Sequence, residues 1–410
     1  MALSRWSRHA LAITLASLLT QHAAAQTAPA APVTPTPAVL PVRIGLIAPL
    51  SGPSSDFGLP VLHGARMAVD EINAAGGYLG RPIELVVHDD KGVPDTGLAA
   101  SQAMVASGVL AAIGFCNTGV AVKSVGVFQQ AQVPLIVPCS AGAPVTRQFP
   151  PPGSYIFRNA PSDSIQAPFV VNDLIRRGWT RVAIFADKTP YGESGLRDVE
   201  AAMASHQLKP VHVERFDLGV KDLTAGLQRA RQAGANVIFS YTVGPENAAI
   251  ALSREALKWD VPQVGGWPLS FPFFIAGGGS AAEGALMAQS FIAEPSNERR
   301  AAFLASYARR HQGPPAVPMA AAQSYDAMYL LTYAIFAVRS KLDGPAIKQA
   351  LENLPRTYYG VVATYDRPFT PEDKEAMTSN MLVMGQVKKG KVTFAYPEDA
   401  RRNLFIQRKR

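Results

Sequence analysis

Apolar and polar positions along this chain change between two periods, and the change predicts strands and helices in turn. VRIGLIA (42–48) is a continuous apolar run with branched side chains, which is typical of a strand buried on both faces. Segment 63–76 places apolar side chains at helical spacing and ends in glycine, which is typical of a helix and its stop. The alternation continues to residue 138 and predicts a parallel sheet with helices on both faces.

A second series of the same kind begins at RVAIFAD (181–187) and runs to VPQVGGW (261–267), so we predict two doubly wound α/β units. The Pro-rich segment 150–165 lies between them and is a candidate crossover. Later elements are predicted as helices over 297–311, 319–340 and 344–353 and as strand-like pieces at 359–365, 380–387 and 391–395. Because these follow two complete units, the chain is expected to return and finish both lobes.

The N-terminal residues are not expected to belong to the fold. Two arginines, a short apolar run and AAA (23–25) predict a signal peptide over 1–25, and the run is too short to favour a membrane anchor. The Pro/Ala-rich stretch 26–41 is predicted to be an extended linker. The protein is therefore expected to be exported to the periplasm.

Composition narrows the function further. The net charge of +8 is spread along the chain apart from the tail 400–410, which favours solubility and gives no reason to expect nucleic-acid binding. The two cysteines, Cys116 and Cys139, are too few for a disulfide framework or a Cys-rich zinc site.

Three loops follow strands of the first predicted unit, at 49–58, 115–121 and 138–144, and all are rich in Ser, Thr, Gly or Asn. In an open parallel sheet the ligand site lies at the carboxyl ends of the strands. Accessible backbone N–H groups and hydroxyls at helix N-termini suit a small anion such as a carboxylate. No phosphate-binding GxxxxGK[ST] motif occurs, and no cofactor is predicted.

An enzyme would need a base near the Cys139–Ser140 pair. Of the histidines only His88 lies near the expected rim, and no partner is fixed beside the thiol, so no catalytic residue is predicted. A cysteine hydrolase stays an alternative, which would release a product instead of returning its ligand. HDD (88–90) cannot turn three consecutive strand residues toward one ion, so no metal site is predicted.

The two cysteines end neighbouring predicted strands. Neighbouring strands lie about 5 Å apart, within the Cα separation that a disulfide tolerates. A Cys116–Cys139 disulfide is therefore possible, although the register of the two strands is open.

Several stretches resemble the leucine/isoleucine/valine-binding protein family, the type 1 periplasmic solute-binding proteins of ABC importers. The resemblance covers roughly residues 42–395 and begins with IGLIAPLSGPSSDFG, GARMAVDEINAAGG and LGRPIELVVHDDKGVP; AIGFCNTG, VPLIVPCSAGAP, YIFRNAPSDSIQA and VAIFADKTPYGESG follow in order. It implies two lobes, joined by three crossovers, that close over a ligand. The expected divisions are 42–162 with 292–364 for the N-terminal lobe and 163–291 with 365–410 for the C-terminal lobe.

The resemblance also implies site residues. In the family, hydroxyls and backbone amides after the third and fourth strands bind the ligand's carboxylate. A carbonyl or hydroxyl of the fourth-strand loop receives the α-ammonium, and aromatic side chains of the second lobe cover the ligand. The matching first-lobe positions are Asn117, Thr118, Cys139, Ser140, Ala141 and Gly142, with Ser140 and the Gly142 amide as the expected main contacts. The second-lobe positions are Tyr191, Tyr241, Val243 and Trp267.

Trp267 departs from the family pattern, because amino-acid binders place an acidic residue there for the ligand's ammonium. A buried ammonium without a counter-charge is costly. Asp163 or Asp187 could substitute. Trp267 and the phenylalanines that follow could instead form an aromatic cleft, or they could pack within the second lobe.

We therefore expect a monomeric binding protein that delivers an amino acid, branched-chain or aromatic, or a related small carboxylate to an ABC permease in the inner membrane. One alternative is a binder of aromatic or aliphatic carboxylic acids that lack an amine. Another is a ligand sensor that presents its closed form to a membrane receptor.

Overall fold

The structure is a computed structural model and describes residues 40–402. The predicted signal peptide, nearly all of the predicted linker and the end of the basic tail lie outside the described residues. Within the described part of the chain, no helix has both the length and the apolarity that crossing a membrane requires.

The first lobe is built on a five-stranded parallel sheet. Its elements in chain order are β1 (Val42–Ala48), α1 (Ser55–Ala74), β2 (Ile83–Asp89), α2 (Pro94–Ala106), β3 (Ala111–Gly114), α3 (Thr118–Gln130), β4 (Leu135–Val137), α4 (Pro144–Arg147) and β5 (Ile156–Arg158). The spatial order of the strands is β2-β1-β3-β4-β5. Six of the seven residues of β1 are buried, as its continuous apolar run predicts.

The second lobe repeats the alternation. Its elements are α5 (Asp163–Arg176), β6 (Val182–Asp187), α6 (Pro190–Ala204), β7 (His212–Phe216), α7 (Thr224–Gln232), β8 (Val237–Tyr241), α8 (Glu246–Ala256), β9 (Gln263–Gly265), α9 (Pro272–Gly278) and β10 (Leu286–Gln289). All of these strands pair in parallel.

The C-terminal part completes both lobes, as expected. It contains α10 (Glu298–His311), α11 (Pro318–Ala337), α12 (Gly344–Glu352), β11 (Tyr358–Tyr359), β12 (Thr364–Tyr365), β13 (Val383–Lys388) and β14 (Lys391–Phe394). Helix α11 packs along α1, where Gly64 permits close approach: a Cβ there would lie 2.1 Å from the carbonyl oxygen of Ala321. Strands β13 and β14 extend the second sheet to the order β14-β13-β10-β9-β8-β6-β7, with antiparallel pairing at that end. The predicted fold class, two doubly wound α/β lobes, is confirmed.

Some local predictions differ from the structure. Segment 150–165 is not only a crossover, because it contains β5 and the first residues of α5. Segment 359–365 is a two-stranded hairpin, β11–β12, separate from both large sheets. The N–H of Arg158 in β5 donates to the carbonyl of Lys374, and the N–H of Ala376 donates to the carbonyl of Arg158. Residues 374–376 therefore still lie against the last strand of the first lobe. The exact lobe boundaries stay a prediction.

Candidate functional site

A cavity of about 240 Å³ lies between the lobes at the carboxyl ends of the strands. It is smaller than a typical drug-sized pocket and suits a small ligand. The lobes are closed over it: the rings of Phe57 on α1 and Phe271 in the second lobe have centroids 5.2 Å apart, and both line the cavity. The predicted site residues that line it are Asn117, Thr118, Cys139, Ala141, Tyr191, Val243 and Trp267.

The first-lobe wall is the N-terminus of α3. Its first turn, from Thr118 to Val120, faces the cavity, and the N–H groups of a first turn have no intrahelical acceptors. Asn117 precedes the helix, and its Nδ2 donates to Oγ of Ser54 at 3.1 Å. Its Oδ1 has no partner among the described residues. The N–H groups of the first turn are therefore the fixed donors that this wall offers to a negatively charged group, while the Asn117 side chain is held by Ser54.

A second helix N-terminus, that of α6, faces the first across the cleft. Thr189, Pro190 and Tyr191 line the cavity there, and the Thr189 side chain accepts from the N–H of Gly192. A Cβ at Gly119 would lie 3.6 Å from Cγ of Pro190, so the two helix ends nearly touch. Both dipoles direct their positive ends at the cavity, which favours an anion and disfavours an ammonium.

Ser140 and Gly142, the expected main contacts, do not line the cavity. The N–H of Ser140 donates to the carbonyl of Phe115 at 2.9 Å, and its hydroxyl hydrogen-bonds with Oγ1 of Thr118 at 3.2 Å. The N–H of Gly142 also donates to Thr118 Oγ1, at 3.3 Å. Both groups therefore support the Thr118 hydroxyl from behind, and Thr118 is the one that faces the cavity.

The carbonyl groups of the same loop are already engaged by Arg158. Its Nη1 donates to the carbonyl oxygens of Ala141 at 3.0 Å and Gly142 at 2.8 Å. The Ala141 carbonyl also accepts from the N–H of Asp163 at 2.8 Å. These carbonyls therefore have little capacity left for a ligand ammonium, the role that the resemblance implies for this loop.

The second-lobe wall is aromatic. Trp267 is 4% exposed, and its backbone N–H donates to Oε1 of Gln166 at 3.2 Å. Trp267 and Phe271 line the cavity, whereas Phe273 and Phe274 pack in the core of the second lobe. Trp267 and Phe271 therefore form the aromatic cleft that the sequence allowed, whereas the other two rings pack within the second lobe, the alternative that it left open.

Tyr241 and Asp163 lie behind this wall and do not line the cavity. The rings of Tyr241 and Tyr191 have centroids 5.1 Å apart, so Tyr241 supports the tyrosine that faces the ligand space. Asp163 is fully buried, and burial raises its pKa to about 7. Burial, and then the nearby Asp163 carboxylate, raise the pKa of both phenols well above the usual value. Asp187, the other candidate counter-charge, is also buried away from the cavity.

The possible Cys116–Cys139 disulfide is not formed in this structure, where both cysteines are free, buried thiols. Strands β3 and β4 pair Ile113 with Ile136, so their register continues toward the two cysteines. Burial raises the pKa of the Cys116 thiol. A protonated thiol is a poor nucleophile, which agrees with a binding role.

Several lining residues were not predicted from the sequence: Phe57, Gly92, Pro94, Thr189, Pro190 and Leu218. Phe57 lies within the first candidate loop (49–58), part of which forms the first turn of α1, and Thr189 and Pro190 precede Tyr191, so proximity was the available signal. Among the described residues that line the cavity, none is acidic, basic or a histidine. The carboxylates of HDD instead cap turns, with Asp89 accepting from the N–H groups of Leu50 and Lys91.

Comparison with known proteins agrees with this architecture. The periplasmic binding protein family model matches residues 41–391. A Leu/Ile/Val-binding protein homolog 3 from Brucella melitensis is 30% identical over 314 residues, which are 76% of this chain and 83% of that protein.

Solved structures match over most of the chain. The leucine-binding protein LivK of Thermotoga maritima has a TM-score of 0.76 at 25% identity and covers 87% of this chain and 99% of its own. A solute-binding protein from R. palustris in complex with benzoate has a TM-score of 0.74 at 18% identity, over 87% of this chain and 95% of its own. The second likeness shows the fold alone.

These relatives are solute-binding proteins and not enzymes. The chain belongs to the periplasmic binding protein family, in the group of Leu/Ile/Val-binding proteins that serve ABC transporters of the branched-chain amino acid type.

Proposed function

We propose that this protein is the exported, periplasmic substrate-binding component of an ABC importer, and that its ligand is a small apolar carboxylic acid without an amine. One observation carries the choice of ligand: the cavity has two helix N-termini and an aromatic wall, and no acidic side chain among the described residues lines it. A carboxylate gains from the helix ends, whereas an ammonium would be buried without a counter-charge.

In this proposal the carboxylate binds at the first turn of α3, where the backbone N–H groups of Thr118 and Gly119 and the Thr118 hydroxyl are the donors, and Asn117 lies beside it with its Nδ2 held by Ser54. Cys139 and Ala141 contact the carboxylate end of the ligand without donating a strong hydrogen bond to it. The apolar body of the ligand lies against Tyr191, Val243 and Trp267, and closure of the lobes removes water from it. The working form is a monomer that presents the closed state to an inner-membrane permease.

A branched-chain amino acid is the second candidate, because the curated relatives are named for leucine, isoleucine and valine. Its ammonium would need Asp163 or Asp187, which are buried and do not line the cavity. The likeness to the benzoate-bound protein makes clear that this fold does not require an amine in its ligand.

Matched ligand pairs test the choice. Ligand-free protein is titrated calorimetrically with leucine against 4-methylpentanoate and with phenylalanine against 3-phenylpropanoate, and benzoate is added as a rigid acid. Each pair differs only by the amine. We expect the amine-free member of each pair to bind more tightly. Binding can also be followed as stabilisation, because a ligand at about 1,000 times its Kd raises the free energy of unfolding by about 4 kcal/mol. Binding of the amino acids alone would contradict the proposed ligand class and would leave the transport role intact.

A further inference from the structure

A second concave surface lies on the first lobe and shares no lining residue with the interlobe cavity. Helices α1, α10 and α11 and the β11 segment border two cavities of about 520 and 540 Å³ that share Glu71, Tyr329 and Tyr333. We call this surface the tyrosine groove. Its tyrosines are Tyr325, Tyr329, Tyr333, Tyr358 and Tyr359.

The rings of the groove form a connected floor. Ring centroids are 5.0 Å apart for Tyr325 and Tyr329, 5.5 Å for Tyr329 and Tyr358, and 5.4 Å for Tyr333 and Tyr358. At the edges Tyr359 is 59% exposed and Phe336 is 42% exposed. The floor is thus held in place by ring packing while part of it stays open to solvent.

Glu71 is the acidic residue in the lining, and the floor already engages it. Its Oε2 accepts from the hydroxyls of Tyr325 at 2.5 Å and Tyr329 at 2.8 Å. These bonds hold the acid in the floor, and its single negative charge is outnumbered by the arginines of the rim.

The rim is strongly basic. Four exposed arginines line the groove: Arg299, Arg309, Arg339 and Arg356. Arg299 lies over the ring of Tyr359, 5.9 Å from its centroid. Within residues 40–402, no hydrogen bond or ion pair holds the guanidinium groups of the other three. Their forked donors are therefore free for carboxylates from another molecule.

We propose that the tyrosine groove docks an extended acidic segment of another protein, in which aspartate or glutamate alternates with apolar residues. Arginine and tyrosine are the side chains that dominate protein–protein binding energy. The carboxylates pair with the rim arginines while the apolar residues lie on the tyrosine rings. A single small anion would leave the second of the adjoining cavities empty, and a flat lipid surface does not enter a groove.

The test uses a fluorescein-labelled octapeptide of alternating glutamate and leucine, with the lysine–leucine peptide as its counterpart, and fluorescence anisotropy at two salt concentrations. We expect the acidic peptide to bind the unaltered protein and the basic one not to bind. Arg309→Glu with Arg356→Glu should weaken binding at least tenfold. Lys221→Glu with Arg231→Glu, two exposed positions of the second lobe, makes the same change in net charge and should weaken it less than twofold.

Tyr359→Ala tests the contribution of the tyrosine rings to peptide binding separately from that of the rim arginines. Because the ring is largely exposed, its loss should leave the fold intact and weaken the acidic peptide severalfold. The proposal is overturned if the unaltered protein does not bind the acidic peptide, or if both double variants lose binding equally. It is also overturned if the groove variant only loses self-association, or only loses binding to vesicles of equal phosphatidylglycerol and phosphatidylcholine.

Discussion

The two walls of the interlobe cavity differ in composition, although the first also carries the ring of Phe57 and the second also carries the N-terminus of α6. The first-lobe wall consists of small residues and backbone at the start of α3, and its donors are fixed by the strand-to-helix turn. The second-lobe wall consists of large rings, Tyr191, Trp267 and Phe271. Fixed donors can orient one charged group, while rings remove apolar surface from water in many orientations. Under the proposed function, we expect the first wall to select the charge of the ligand and the second to select its size and apolarity.

Removing the largest ring should have the largest effect. Trp267→Ala deletes the largest ring of the second wall, and we expect Kd to rise on the order of 100-fold. Trp267→Phe keeps a ring and should lose much less. Calorimetric titration with 3-phenylpropanoate measures both. An unchanged Kd for Trp267→Ala would mean that the indole packs only inside its own lobe.

The first wall should respond to the loss of one donor. Thr118→Val keeps the shape and removes the hydroxyl, and loss of a hydrogen bond to a charged group should raise Kd about tenfold. Ser140→Ala is the matched control, since that hydroxyl touches Thr118 and not the cavity. If Ser140→Ala costs more than Thr118→Val, the assignment of the two hydroxyls is reversed. The same titration reads both.

The buried carboxyl of Asp163, behind the second wall, should make the stability of the fold depend on pH. Burial raises the pKa of Asp163 from its ordinary value of 3.8 to about 7. Between these values the folded chain holds a proton that the unfolded chain releases, so this group lowers stability as pH rises from about 4 to 7. Asp163→Asn removes that loss. Its melting temperature should therefore exceed that of the unaltered protein by more at pH 7 than at pH 4, and a constant difference across this range would contradict the buried, protonated carboxyl.

The smallest effect is expected at a thiol of the first wall. A cysteine is a weak hydrogen-bond donor, so Cys139→Ala should change Kd by about twofold or less. Titration with the same acid tests this. A tenfold loss would make the thiol a direct ligand contact, and the first wall would then not rely on nitrogen and oxygen donors alone.

The fold followed from the sequence wherever the hydrophobic pattern was strong. The apolar run of β1 was predicted with its bounds, and the helical spacing of α10 and α11 placed both to within a few residues. Strand β5 was missed because three residues in a Pro-rich segment carry no period. The β11–β12 hairpin was assigned as one piece, since its separation from the large sheets depends on tertiary contacts.

The cavity could be placed from the sequence, but the direction of individual groups could not. The rule that ligands lie at strand carboxyl ends located the loops 115–121 and 138–144, and the family resemblance named Asn117, Thr118 and Cys139 within them. It could not tell that Ser140 and Gly142 turn toward Thr118, because Arg158 fixes that loop from the end of another strand. The pairing of Phe57 with Phe271 was equally out of reach, since it exists only between lobes.

That ring contact has a consequence for timing. Phe57 and Phe271 are buried against each other across the cleft, and opening the lobes exposes both rings to water together with the ligand. The contact therefore resists opening and lengthens the dwell time of the ligand, whatever its affinity for either wall alone. In the proposed transport role, unloading must break that contact, so we expect the two phenylalanines to slow release and not capture.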